Sequence, residues 1–360
     1  MTQHGGQFFE FAQRQGLSHT QALSQVLDFS ASINPNQPVV SLNLEPALWA
    51  HYPPQQAQNL TRLLADKFQL PADHIQLTNG ISSAILNLFA HLRPHTTLLY
   101  TPLYGEYQRA AQLYSQNTIE LNRALQQPDH QAWCYPDLPP NSLVVFVNPS
   151  TPDGHYHAPE KCADLIRYWQ QQDCWVLIDE SFLPFIGFDE SLSFRQWLHD
   201  WPKLIILQSL TKYYACPGLR VGAVFAQPGF LGAWPQPAWP ISHLDSLLLQ
   251  QALQDPEFDS HNQAWLFNAK ADLVAQLQTC ALIKQVYPSS ANFVLVQTHA
   301  PAKQIAQALE DHQILVRPCD SFEAGLNTHH LRIAVKKPPQ HQRLIQALNT
   351  LYQDIQHAII

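Results

Sequence analysis

Hydrophobic positions along this chain fall into short, dense runs separated by amphipathic stretches. Ser142–Val147 is almost wholly apolar and stops at Asn148-Pro149. Trp175–Ile178 stops at Asp179-Glu180, and Leu204–Leu207 runs into Gln208-Ser209. Short apolar runs with polar ends predict strands buried on both faces. Shorter strands are predicted at Ile75–Thr78 and Leu98–Tyr100. Residues 58 to 68 place Leu60, Leu63, Leu64 and Phe68 on one stripe, which predicts a helix. Ser82 and Ser83 are placed to cap a second helix through Ile85, Leu86, Phe89 and Leu92. A third covers 159 to 171. The Pro- and Trp-rich stretch 227 to 240 reads as a connection. Helical patterns follow from 243 to 284, then strands at Asn292–Val296, Ile314–Arg317 and Leu331–Val335.

This alternation predicts an α/β lobe with a mostly parallel sheet, followed by a smaller α+β lobe. Ligands of such sheets sit beyond the carboxyl ends of the strands. Asn79, Asn148, Asp179 and the stretch Ser209 to Lys212 all fall there.

Composition narrows the classes. The chain has 360 residues, 46% hydrophobic and 13% charged, which fits a folded globular protein with room for two lobes. A net charge of −8 argues against non-specific nucleic-acid binding. No apolar run is long enough to predict a membrane helix. The start, Met1-Thr-Gln-His4-Gly-Gly6, lacks the order of a signal peptide. Six scattered cysteines without C-x-x-C predict reduced thiols, hence a cytoplasmic protein. His155-Tyr-His157 and His329-His330 lack further ligands at suitable spacing, so no metal is expected.

The chemistry concentrates in Ser209-Leu-Thr-Lys212-Tyr-Tyr-Ala-Cys-Pro-Gly218-Leu-Arg220-Val-Gly222. A lone lysine among aromatic and small residues is a candidate imine-forming amine. Ser209 and Arg220 can hold a phosphate beside it.

Taken in chain order, these motifs resemble the fold-type I enzymes dependent on pyridoxal phosphate. Within them they look most like the branch of histidinol-phosphate aminotransferases and threonine-phosphate decarboxylases. The resemblance runs over nearly the whole chain. It implies a large domain over 41–240 with a mostly parallel seven-stranded sheet, and a small α+β domain over 241–360. Residues 1–40 form an N-terminal arm packing with the small domain. It implies pyridoxal 5'-phosphate as cofactor, carried by Lys212. Ser209 and Arg220 hold its phosphate, with N–H groups of Gly80, Ile81 and Ser82 at a helix N-terminus. Asp179 pairs with the pyridine nitrogen and keeps the ring an electron acceptor. Tyr104 stacks on the ring, and Asn148 and Thr151 complete the cofactor wall. Tyr52 reaches the phosphate from a partner subunit, which implies a homodimer with shared sites.

Two positions depart from the family pattern. Thr151, in Asn148-Pro-Ser-Thr151-Pro-Asp-Gly154, stands where relatives have an asparagine that bonds the ring hydroxyl. Phe182 stands where many have a tyrosine. Both changes leave the ring oxygen less well bonded.

Arg332 matches the grip on the substrate α-carboxylate, and Arg317 a second anion grip. His4, Gly5, Gly6 and Asn34 match the arm and turn that decarboxylases close over a phosphorylated substrate. The expected reaction is decarboxylation of O-phospho-L-threonine to (R)-1-aminopropan-2-yl phosphate in cobalamin biosynthesis. The alternative is transamination of histidinol phosphate. A cofactor-binding protein without catalysis would fit the losses at 151 and 182. A transcriptional regulator would need a further DNA-binding domain, for which the chain has no room.

Overall fold

The computed structural model describes residues 5–41, 45–46, 50–54, 57–123, 135–322 and 326–358. The N-terminal part carries α1 (Phe8–Arg14), α2 (His19–Gln25) and β1 (Leu27–Asp28), before α3 (Gln58–Lys67). Then follow β2 (Ile75–Thr78), α4 (Gly80–Leu92), β3 (Thr96–Thr101), α5 (Gly105–Tyr114) and β4 (Asn117–Asn122). β5 (Leu143–Val147), α6 (Pro159–Gln171), β6 (Trp175–Asp179), β7 (Leu204–Ser209) and β8 (Gly222–Phe225) complete a seven-stranded sheet. Its order is β2-β8-β7-β6-β5-β3-β4, and β8 alone runs antiparallel to its neighbours.

The dense apolar runs have a simple cause. Along β5, β6 and β7, Val144, Phe146, Val176, Ile178, Leu204 and Ile206 pack into one hydrophobic layer. Their neighbours Val145, Val147, Leu177, Ile205 and Leu207 pack into the other. Alternate side chains point to opposite faces, and both faces are covered. α4 and α5 cover one face through Ile85, Leu88, Phe89, Tyr107 and Ala110. α6 covers the other through Cys162, Leu165, Ile166 and Trp169. Burying each large side chain stabilises by about 1.5–3 kcal/mol. That fixes the strand ends to which the polar groups are attached.

Beyond the sheet come α7 (Pro228–Ala233), α8 (His243–Leu253), α9 (Phe258–Gln278), β9 (Ile283–Val286) and β10 (Phe293–Thr298). They are followed by α10 (Ala302–Glu310), β11 (Ile314–Leu315), β12 (Arg317–Pro318), β13 (His330–Ala334) and α11 (Pro338–Ala358). β12-β13-β10-β9 form an antiparallel sheet, while β1 pairs in parallel with β11. No helix among the described residues is long and apolar enough to cross a membrane.

Several expectations shift. The helix assigned to Ser82 and Ser83 as caps begins earlier, at Gly80, with Asn79 at the cap and no side-chain cap bond. Ser82 and Ser83 sit inside its first turn. The 227 to 240 connection holds α7, and Pro256 falls between α8 and α9. β4 escaped notice because it is an edge strand with exposed residues and no apolar run. β8 begins at Gly222, the last residue of the lysine motif, and was not predicted.

Candidate active site

Strand β7 ends at Ser209, and β8 returns beside it with Gly222 opposite Ser209. The intervening loop closes on itself, with Cys216 N donating to Thr211 O at 2.9 Å. This presents Lys212 to a cavity of about 280 Å³ at the carboxyl ends of the parallel strands. Burial lowers the Lys212 pKa to about 8, helped by the charges of Arg332 and Arg220 and opposed by Asp179. At pH 7 roughly a tenth of such an amine is neutral and nucleophilic. The Phe182 ring lies 5.0 Å from Nζ.

Gly80, Ile81 and Ser82 line the same cavity at the start of α4. With no side-chain cap, the first N–H groups of this helix remain available to an anion. Gly80 has a φ of +70°, and a side-chain carbon there would lie 2.8 Å from Arg220 Nη2. Glycine thus lets the guanidinium close on the helix start. Ser209 and Thr211 complete the cradle. Ser82 Oγ and Tyr104 OH lie 3.1 Å apart. Burial raises the Tyr104 pKa, so its phenol keeps its proton.

Asp179 ends β6 and lines the cavity. Its Oδ2 accepts from Tyr107 OH at 2.9 Å, and its Oδ1 from Ser181 N at 2.9 Å. Ser181 Oγ accepts from Ser209 N at 3.0 Å. The carboxylate and the phosphate cradle therefore share one hydrogen-bonded frame.

The opposite wall is basic. Arg317 on β12 is the register partner of Arg332 on β13, and both line the cavity. Like charges directly opposite on paired strands are destabilising unless an anion offsets them. Burial lowers the pKa of both, that of Arg332 to about 10, which leaves it charged near neutrality. Arg332 Nη1 donates to Thr151 Oγ1 at 3.0 Å and Nη2 to Ser30 O at 3.0 Å. Its Nε is buried without a partner among the described residues.

Ser30 begins a wall segment whose carbonyls are held in turn. Lys336 Nζ donates to Ala31 O at 3.4 Å and Ile33 O at 3.5 Å, and Asn292 Nδ2 to Ser32 O at 3.1 Å. Gly5 lies directly on this segment. A side-chain carbon there would meet Ser30 O at 2.4 Å and Arg332 Nη2 at 3.6 Å.

The aminotransferase class I and II family model matches residues 18–348. The chain belongs to this family. It is 30% identical to threonine-phosphate decarboxylase of Salmonella typhimurium, over 98% of this chain and 97% of that protein. It is also 30% identical to histidinol-phosphate aminotransferase of Symbiobacterium thermophilum, over 82% of this chain and 81% of the relative. Among solved structures, histidinol-phosphate aminotransferase from Clostridium acetobutylicum superposes with a TM-score of 0.79 at 22% identity. That match covers 91% of this chain and 100% of the other, and it establishes the fold.

As a class I and II aminotransferase-family member, the protein is a pyridoxal-phosphate enzyme. The residues present fit the cofactor. An uncapped helix start, a glycine pressed against Arg220, a lysine with lowered pKa and a fixed carboxylate all meet in one cavity. When bound, pyridoxal phosphate supplies an electron sink beside the substrate α-carbon. Lys212 would carry it, Asp179 would face its ring nitrogen, and the Gly80–Ser82 turn with Ser209 and Arg220 would hold its phosphate. Tyr104 would wall one side.

Other sequence-based assignments end elsewhere. Asn148 is fully buried, and both ends of its amide bond the backbone of His157, at 2.9 and 2.8 Å. It fixes the 148–157 loop and does not line the cavity. Asn34 donates through Nδ2 to Tyr213 O at 2.8 Å, and its N–H to Lys212 O at 3.1 Å. It steadies the lysine loop, with its side chain spent there instead of on substrate. Gly6 lies one step behind Gly5, donating to Ser30 Oγ at 2.9 Å. Tyr52 is 79% exposed and stacks on Trp239 at 4.3 Å, away from this chain's own cavity. His4 lies outside the described residues. Thr151, expected at the ring hydroxyl, has its oxygen engaged by Arg332.

Sequence reasoning missed Tyr107 and Ser181. Tyr107 follows Tyr104 by one helical turn, and Ser181 follows Asp179 by two residues. Neither spacing announces chemistry without the fold.

Proposed function

We propose that the protein decarboxylates O-phospho-L-threonine to (R)-1-aminopropan-2-yl phosphate, a step of cobalamin biosynthesis. The observation that carries this reading is the Arg317–Arg332 pair. Two buried-side guanidinium groups face one cavity, beside a separate phosphate cradle at Gly80–Ser82. A substrate with two anions, an α-carboxylate and a phosphate, fits that charge pattern. The seat of Gly5 on Ser30 supports a substrate covered by the arm. So does the extent of the likeness to the Salmonella decarboxylase, which spans 98% of this chain against 82% for the Symbiobacterium aminotransferase.

In this reaction the Cα–carboxylate bond breaks, CO2 leaves and a proton returns to Cα. Lys212 Nζ, at the cavity floor, would deliver that proton. Tyr52 would reach the phosphate cradle of a second copy in a homodimer of the cytoplasm.

The test offers purified holoenzyme each substrate. CO2 release from phosphothreonine without added keto acid supports the proposal. Glutamate formation from histidinol phosphate and 2-oxoglutarate, without that CO2, replaces it with transamination.

A further inference from the structure

Tyr107 is fully buried and does not line the cavity, yet its hydroxyl reaches a cavity residue. It belongs to the first turn of α5, where its N–H bonds Tyr104 O at 3.0 Å. Tyr104 faces the cavity, and Tyr107, one turn on, passes behind it at a ring distance of 6.4 Å and near-perpendicular planes. The hydroxyl ends 2.9 Å from Asp179 Oδ2. Burial, then the Asp179 charge, push the phenol pKa well above its ordinary value. Tyr107 is therefore the donor and Asp179 the acceptor.

We propose that Tyr107 is a positioning residue that holds the Asp179 carboxylate in one orientation. With Ser181 N on Oδ1 and Tyr107 OH on Oδ2, each carboxylate oxygen has one fixed donor, so the group cannot rotate without losing both. An ionised Asp179 is what a protonated ring nitrogen requires, and the inference rests on that pairing. Tyr107→Phe keeps the ring and the packing and removes only the hydroxyl.

The test measures the dissociation constant of the full-length apoprotein for pyridoxal phosphate and for its 1-deaza analogue, which has carbon in place of the ring nitrogen. Tyr107→Phe is expected to weaken pyridoxal phosphate about tenfold and to leave the deaza analogue nearly unchanged. Equal weakening of both, or of neither, overturns the inference. Asp179→Asn is measured alongside. If it fails to discriminate between the two cofactors, the Asp179 pairing itself falls and the inference with it. If it discriminates and Tyr107→Phe does not, only the Tyr107 role falls.

Discussion

Arg332 Nη1 donates to Thr151 Oγ1 at 3.0 Å. The hydroxyl at 151 thus serves the basic wall, which in the proposed reading receives substrate, where the family asparagine would serve the ring. Thr151→Val keeps the shape and deletes the acceptor. The net value of such a bond to a charged group is about 1.5–3 kcal/mol. The KM for the amino-acid substrate should rise roughly tenfold or more, with kcat changing much less. Thr151→Ser should restore KM in steady-state kinetics. Equal kcat losses in both variants would contradict the assignment.

The pKa of Lys212 gives a pH prediction whose sign follows from its neighbours. The neutral amine forms as pH rises through about 8. The rate at which apoprotein captures pyridoxal phosphate should climb through the same range. Arg332→Gln removes a charge that lowers this pKa, so the midpoint should move to higher pH. Asp179→Asn removes one that raises it, so the midpoint should move to lower pH. Stopped-flow absorbance across pH 6 to 10 would detect both shifts.

Gly80 combines a φ of +70° with a clash distance of 2.8 Å to Arg220. Gly80→Ala costs about 1–2 kcal/mol in backbone strain and pushes the guanidinium away. Apoprotein titration should show pyridoxal phosphate bound roughly tenfold more weakly. Gly222→Ala meets the backbone N of Ile81 at 2.9 Å, which cannot swing aside. It should lower the thermal midpoint as well as cofactor affinity.

Asp153 carries the acid stability of the 148–154 loop. Burial alone would raise its pKa, but Arg123, donating at 2.9 Å through both Nη1 and Nη2, holds it at about 2. A carboxyl lowered from 3.8 contributes stability above that value and loses it as pH falls towards 2. Asp153→Asn should flatten the stability–pH curve in that window. It should also cost about 3–5 kcal/mol at neutral pH by stranding buried Arg123. Urea unfolding at pH 7 and pH 3 measures both effects.

The strands that bear the site were legible because β5, β6 and β7 are apolar on both faces. Lys212 and Asp179 were legible because each sits at or just past the end of such a strand, whereas the Gly80 turn follows the edge strand β2 and was assigned through the family resemblance. Asn148 and Asn34 misled, since an amide beside a strand end bonds backbone as readily as ligand. Only the fold shows that their partners are His157 and Tyr213. Tyr107 and the wall carbonyls were invisible for a related reason. A tyrosine on a buried helix face reads as core, and a carbonyl carries no side-chain signal.

The wall from Ser30 to Ile33 also ties together distant parts of the chain. Its carbonyls accept from Asn292, Arg332 and Lys336, and β1 pairs with β11. All of these partners follow the seven-stranded sheet in the chain. The strands of the seven-stranded sheet and Lys212 all lie before residue 226. The wall is complete only when residues 30 to 33 meet Asn292, Arg332 and Lys336. Closing so long a loop carries an entropic cost that grows only slowly with length. The residues that would hold the cofactor fall between 80 and 220, while the wall joins positions 260 to 305 residues apart, so a chain cut short before Asn292 loses every one of those wall partners.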